Sequence, residues 1–339
     1  YGGTELVVDQ LARGLEHAGC EVVLFATGDS AASVETRWLY PEALGTAVPI
    51  GLEQAHVEAA YKALADVDVI HDHTLSGPQW AVANGCQVPV VTTVHGRFTA
   101  GLRHAYRAMA TGGVGVVAIS HAQRRTAPEI PIDTVIHHGI DTTGWPVGRG
   151  RGGYVLFLGR MHPDKGAHRA IQIARAAGRR ILLAAKMWDP AEHRYFAEQV
   201  EPLLGPDAVY VGEVGGACKR DLLGGAEALI NPIRWPEPFG LVMIEALAHG
   251  TPVLSFAEGA APEIVEHGRS GFLCADEGDM VEALRHVADL DRADCRARVD
   301  VSFSAEHMVR AHLDLYRRRL SMDGAGTRAA RAPAFATNG

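Results

Sequence analysis

The sequence predicts an α/β protein built from two doubly wound domains, and three observations carry that reading. Short apolar runs alternate with helix-period segments along almost the whole chain, the signature of parallel strands joined by crossover helices. The runs are short and mainly apolar, the signal of a parallel sheet covered on both faces. A stretch rich in glycine and turn formers, Asp141 to Gly153, separates two such series and reads as an interdomain linker. In the first series the strands are expected at Glu21–Ala26, Val67–His71, Pro89–His95, Val114–Ser120 and Thr134–His138. Helices are expected at Thr4–Ala18, Glu53–Ala65, Thr99–Ala110 and His121–Ala127. Thr4 suits an N-cap, and Leu6, Val7, Leu11, Leu15 and Ala18 share one face of the first helix. The second series places strands at Tyr154–Leu158, Arg180–Ala185, Ala208–Gly212, Ala228–Asn231, Pro252–Phe256 and Gly271–Cys274. These boundaries give an amino-terminal domain at 1–145 and a second domain at 146–302. A helix then occupies 303–320, and a disordered tail at 321–339 lacks aliphatic anchors.

Composition narrows the class. The chain has 339 residues, 47% hydrophobic and 21% charged, enough for two ordinary cores. No window approaches the ~18 unbroken apolar residues of a membrane span. The net charge of −8 gives no support for nucleic-acid binding. Five widely spaced cysteines with no C-x-x-C suggest reduced thiols, hence a cytoplasmic location, and no zinc or other metal site.

Pro236-Glu237-Pro238-Phe239-Gly240-Leu241-Val242-Met243-Ile244-Glu245 is the most informative segment. The prolines keep the backbone extended around Glu237, and Gly240 opens a helix pattern closed by Gly250 and Pro252. Glu237 therefore sits in a loop facing a helix N-terminus, and Glu245 sits on the helix. The amides of Phe239, Gly240 and Leu241 lie in the first turn, where N–H groups are left for an anion. The arrangement suits a nucleotide diphosphate-sugar: amides for phosphate, Glu245 for a ribose diol and Glu237 for sugar hydroxyls. A second segment, Leu158-Gly159-Arg160-Met161-His162-Pro163-Asp164-Lys165-Gly166, follows a strand pattern. Lysine occurs only at Lys62, Lys165, Lys186 and Lys219, so Lys165 is not generic surface charge. Arg160 offers a planar fork and Lys165 a compact cation, together able to offset phosphate charge as a leaving group departs.

Taken with Gly250-Thr251-Pro252-Val253, Ala261-Pro262-Glu263-Ile264-Val265 and Gly268-Arg269-Ser270-Gly271-Phe272-Leu273, these segments resemble the E-x7-E retaining glycosyltransferases of the GT-B fold. The resemblance runs from Gly2-Gly3-Thr4-Glu5 to about Leu320. It implies two Rossmann-like domains facing across a cleft, with the 303–320 helix crossing back to the first. It further implies that Gly2 and Gly3 form a glycine loop against the donor phosphates, that Arg160 and Lys165 clamp the diphosphate, and that His95 contacts the donor sugar. Val214 falls where the family binds the base, a softer correspondence. The implied activity is sugar transfer, with retention, from a nucleotide diphosphate-sugar to an unidentified acceptor, without metal or other cofactor. Alternatives left open are a nucleotide-sugar-binding pseudoenzyme, a phosphorylase and an epimerase of the same fold.

Two further features concern the first domain. Between Asp72 and Glu129 there is no acid, while Arg97, Arg103, Arg107, Arg124 and Arg125 fall there. Phe98, Leu102, Tyr106 and Met109 form a helical stripe, read first as a core face. The sharper reading gives this 97–125 segment to an anionic acceptor or to peripheral contact with the inner membrane face. Among 17 histidines, His71 and His73 flank Asp72 at a strand end, where period two puts both rings on one face. They read as polar residues lining a cleft, not as a metal site.

Overall fold

The computed structural model describes residues 2–45 and 48–323. The expected tail lies, from residue 324 onward, outside the described residues, as does Tyr1; residues 321–323 complete a helix. By packing, the chain divides into one unit of residues 1–139 and 305–339 and another of 140–304.

The first unit contains α1 (Gly3–His17), β1 (Val23–Ala26), β2 (Glu35–Trp38), α2 (Ile50–Ala63), β3 (Ile70–Asp72), α3 (Ser76–Ala83), β4 (Val90–Val94), α4 (Ala100–Thr111), β5 (Gly115–Ala118), α5 (His121–Arg125) and β6 (Thr134–Val135). Strands β3-β4-β5-β6 form a parallel sheet in that order, and β1 pairs with β2, also parallel. The core is laid on β4 and β5: Val90, Val94, Val116 and Ala118 meet Val57, Tyr61 and Met109. The α4 stripe belongs to this core, with Phe98, Tyr106 and Met109 buried and Leu102 packed against them.

Two details of α1 correct the sequence reading. Gly2, not Thr4, is the N-cap, and the helix begins at Gly3. The buried residues are Val7, Gln10, Leu11 and Ala12, while Leu6 and Leu15 are only half-buried and Ala18 is exposed.

The second unit contains β7 (Val155–Arg160), α6 (Ala167–Ala176), β8 (Ile181–Lys186), α7 (Pro190–Tyr195), β9 (Ala208–Gly212), α8 (Gly216–Gly225), β10 (Leu229–Asn231), α9 (Leu241–Ala248), β11 (Val253–Phe256), α10 (Ala261–Ile264), β12 (Gly271–Cys274), α11 (Glu277–Ala283) and α12 (Arg292–Ser302). The last helix, α13 (Ala305–Asp323), belongs to the first unit, where it packs on α1. Six parallel strands run in the order β12-β11-β10-β7-β8-β9. The core joins Phe157, Leu183, Ile230, Leu254 and Phe256 to Ile171 of α6 and Met280 and Leu284 around α11.

The expected linker is not slack. Ile140 is fully buried and bridges to Ser304, so the division falls there rather than at 145. Beyond it, Gly148, Gly150 and Gly152 donate backbone hydrogen bonds to His249, Gly224 and Gly225. Arg296 of α12 binds the carbonyls of Thr142 and Trp145. The glycines serve close backbone approach, not flexibility: a Cβ on Gly148 would lie 2.1 Å from the Gly224 carbonyl oxygen.

Candidate active site

The strand order of the second unit reverses between β7 and β10, the first strand laid down and its later neighbour. Loops leaving the carboxyl ends of strands diverge at such a switch point and leave a crevice. The chain after β7 carries Lys165 at the end of a short 3-10 turn. The chain after β10 carries Glu237. The two meet: Lys165 Nζ donates to Glu237 Oε1, with the side chains 25% and 16% exposed. Residues 72 apart in sequence thus close an ion pair over the switch point.

The Glu237 loop is braced from β11. The Ala260 amide donates to the Glu237 carbonyl at 3.0 Å, and Gly259 adopts φ 55 with the Glu237 backbone so near that a Cβ would meet it at 2.5 Å. Only glycine fits both the positive φ and the approach. Gly240, in the left-handed region at φ 111, turns the chain into α9, where the Met243 amide donates to the Gly240 carbonyl at 3.0 Å and the amides of Leu241 and Val242 precede the first helical acceptor. Phe239 is buried beneath this turn against Phe303.

Glu245 is buried on α9 and pairs with Lys219 of α8, Nζ to Oε1 at 2.6 Å, with the carboxylate side chain 5% exposed. Removing one partner of a buried pair leaves an uncompensated charge, at about 3 kcal/mol or more. Lys219→Met is therefore expected to lower the unfolding temperature of the chain by several degrees, checked by thermal denaturation at neutral pH. An unchanged midpoint would show that the pair holds nothing in place.

Arg160 ends β7 half-exposed. It is held by Glu192 of α7, at 2.5 Å from Nη2 and 2.7 Å from Nε, with Asp189 farther off at 3.9 Å. Burial alone would raise the Glu192 carboxyl. The Trp188 amide and the Arg160 guanidinium outweigh it, so the group is held below the usual range and stays anionic. Val214 lies half-buried in the β9–α8 loop, beside Glu213, which accepts a hydrogen bond from the exposed Trp188 indole.

In the first unit, His95 follows β4, and His71 and His73 flank the end of β3 as expected. Their ring centroids are 4.2 Å apart, with Asp72 turned away to accept from the Tyr61 hydroxyl. His73 Nδ1 lies 2.9 Å from His95 Nε2, and His95 stacks on His138. Burial lowers His95 to about 4, with the Glu5 carboxylate of α1 pulling the other way. The Gly2-Gly3-Thr4-Glu5 segment thus brings a carboxylate within electrostatic range of His95. Among the described residues no group of three or more His, Cys, Asp or Glu is arranged to hold a metal ion. Gln123 locks the strand end, donating through Nε2 to the carbonyls of Val94 and Gly96 at 2.7 Å each.

Residues 152–289 match the profile of glycosyl transferases group 1, and residues 1–143 match that of Glycosyltransferase Family 4. The chain belongs to the GT-B glycosyltransferases. Glycogen synthase of Mycobacterium tuberculosis is 29% identical over 253 residues, 66% of this chain and 60% of that protein. The matched region thus spans less than two thirds of that relative. Phosphatidyl-myo-inositol mannosyltransferase of Mycolicibacterium smegmatis is 28% identical over 325 residues, 86% of this chain and 82% of that one. The crystal structure of Anabaena HepE in complex with UDP and glucose superposes with a TM-score of 0.76. It is 20% identical, covers 93% of this chain and 96% of that one, and shares the fold.

Three residues of this glycosyltransferase escaped the sequence reading. Glu192, Lys219 and Gln123 each act by gripping a motif residue or its strand end. Lys219 alone left a signal: it is one of four lysines, and it and Lys165 each hold one of the two motif glutamates.

Proposed function

We propose that the chain transfers a sugar from a nucleotide diphosphate-sugar to an acceptor, with retention of configuration. The single observation that carries this reading is the Lys165–Glu237 pair over the switch point, beside the amide-rich turn that opens α9. An incoming diphosphate is a stronger ligand for Lys165 than one carboxylate. Lys165 would turn to it, and Glu237 would be released toward the sugar hydroxyls. The first-turn amides of α9 and Arg160 supply further donors where charge develops on the departing diphosphate. Glu192 keeps the Arg160 fork oriented, and Glu245, held by Lys219, would accept from the ribose diol. His95, neutral through burial, would face the donor sugar without adding charge. That HepE is described with UDP and glucose supports this donor class.

For the acceptor, the relative named for phosphatidyl-myo-inositol supports an anionic one. The apolar α4 stripe is committed to the core, and Arg103 is tied to Glu129 at 3.5 Å. Any attraction by the 97–125 segment would rest on its exposed arginines, not on an inserted apolar face. No helix among the described residues is long and apolar enough to cross a membrane.

The experiment is thermal stabilisation by UDP-, GDP- and ADP-sugars, followed by nucleotide release with candidate acceptors, with and without EDTA. One donor series should stabilise the chain, and turnover should survive chelation, because Arg160 and Lys165 already offset phosphate charge. In the Asp66-Val67-Asp68 spelling, typical of metal-held diphosphates, the two aspartates are exposed ahead of β3, at the amino edge of its sheet, and Val67 packs on the core. Loss of activity in EDTA with rescue by Mn²⁺, or stabilisation by no nucleotide-sugar, would overturn the reading. Sugar release that requires inorganic phosphate and no acceptor would favour a phosphorylase.

A further inference from the structure

The second unit carries a pocket of about 390 Å³ at the amino edge of its sheet, the edge opposite the Lys165–Glu237 pair. Its walls are the segment before β7, the α8 helix that leads to β10, and His249, which caps α9 before β11. Arg149, Arg151 and Arg220 line it, all exposed and none with a carboxylate partner among the described residues. Beneath lies Arg292, whose guanidinium contacts five acceptors: the carbonyls of Gly148, Gly224, Ala226 and His249 and the Thr251 hydroxyl. All five are neutral, so its charge is uncompensated at short range. Against these four guanidinium groups stands one lining carboxylate, Asp221. Arg292 serves internal hydrogen bonds, so the lining itself carries an excess of two positive charges, in a chain of net charge −8, and that field favours an anion.

The pocket is also preformed. Backbone hydrogen bonds of 2.8, 3.0 and 2.9 Å fix Gly148, Gly150 and Gly152 against His249, Gly224 and Gly225. His249 adds a second kind of group. Its ring is 1% exposed and stacked on Trp145, with Nδ1 2.9 Å from the Glu245 carbonyl oxygen. A carbonyl only accepts, so Nδ1 carries the proton. In the neutral ring Nε2 is then an acceptor, buried and without a partner among the described residues. A buried acceptor without a donor is costly, and a ligand hydroxyl supplies what it lacks.

We propose that this pocket binds a phosphorylated sugar or polyol, with the phosphate on Arg149, Arg151 and Arg220 and hydroxyls on Asp221 and His249. Three arginines in a fixed wall match the oxygens of a phosphomonoester. The two acceptors distinguish it from inorganic phosphate. The inference makes no use of the donor-site assignment, and its failure would leave that assignment intact.

The test is calorimetric titration of the full chain, at constant ionic strength, with glucose 6-phosphate, inorganic phosphate and glucose as separate probes. Glucose 6-phosphate should bind at least tenfold more tightly than either of the others. The triple variant R149Q/R151Q/R220Q should weaken it at least tenfold, and Arg220→Gln alone at least threefold. Lys165→Gln, on the other edge of the sheet, should leave its affinity unchanged. Thermal unfolding confirms that each variant is folded, as substitution of exposed arginines without carboxylate partners allows. The proposal is overturned if glucose 6-phosphate does not bind at millimolar concentration, or if inorganic phosphate binds as tightly. It is equally overturned if the triple variant binds normally, or if Lys165→Gln abolishes binding and so moves the ligand to the other edge.

Discussion

Glu237→Gln is expected to fold normally and to lose at least ~10²-fold in turnover, the usual scale for one charge-bearing contact at a reacting centre. The structure adds a second expectation that separates this outcome from general damage. Glu237 is the carboxylate on Lys165, so on the proposed reading a donor diphosphate would displace it. With glutamine in its place that competition weakens, and nucleotide-sugar affinity should hold or rise while kcat falls. Steady-state kinetics with the donor identified by thermal stabilisation reads both numbers. Full turnover in the variant, or parallel loss of kcat and donor affinity, would remove Glu237 from the role given to it.

The second large effect is on stability in acid. Five histidines, at 71, 73, 95, 138 and 312, cluster in the first unit, with His71 held between the Tyr316 and Thr93 hydroxyls. Burial lowers all five; His95 and His312 fall to about 4, and the other three lie well below the ordinary value, each further depressed by its neighbours. An unfolded histidine titrates near 6.5. Above that pH neither state binds protons at these rings, and their stability contribution is fully present. As pH falls from about 6.5 toward 4, the unfolded chain takes up protons that the folded chain refuses. Stability then drops by up to about 1.4 kcal/mol per ring per pH unit. Glu5 near His95 opposes this only in part. The urea midpoint should therefore fall steeply between pH 7 and pH 5. His312→Gln, which removes a ring whose Nε2 has no partner among the described residues, should make the fall shallower. A midpoint flat over that range would mean the rings are not buried neutral.

What the sequence disclosed follows from where its information is local. Strands β4, β7, β8 and β11 are short, mainly apolar runs of mostly buried residues, and burial on both faces leaves few other ways to arrange them. Strand β2, Glu35-Thr36-Arg37-Trp38, is polar and sits in a two-stranded pair, so no periodic signal marks it. Helix α3 begins Ser76-Gly77-Pro78, residues that favour turns and are tolerated only because a first helical turn needs no amide donors. In the candidate site, Glu237, Lys165 and Glu245 were legible because each belongs to a contiguous motif. Glu192 was not, because it lies 32 positions from Arg160 and its value exists only once the chain between them has folded. The segment before β7 reads as a linker, and its close packing on His249, Gly224 and Gly225 was not legible, for a different reason. Glycine signals either freedom or proximity, and composition alone cannot separate them.

The two lysine–glutamate pairs have a consequence for the covalent chemistry of this surface. The chain holds four lysines. Lys165 and Lys219 are three-quarters or more buried with their amines against carboxylates, and Lys186 lies over the Trp188 ring. Lys62, on α2, is 70% exposed, and its amine pairs with the exposed Glu58 carboxylate at 2.6 Å. Acylation, methylation or ubiquitin-type conjugation thus finds its most exposed side-chain target at Lys62 in the first unit, while the amines of Lys165 and Lys219 in the second are shielded unless their glutamates are displaced.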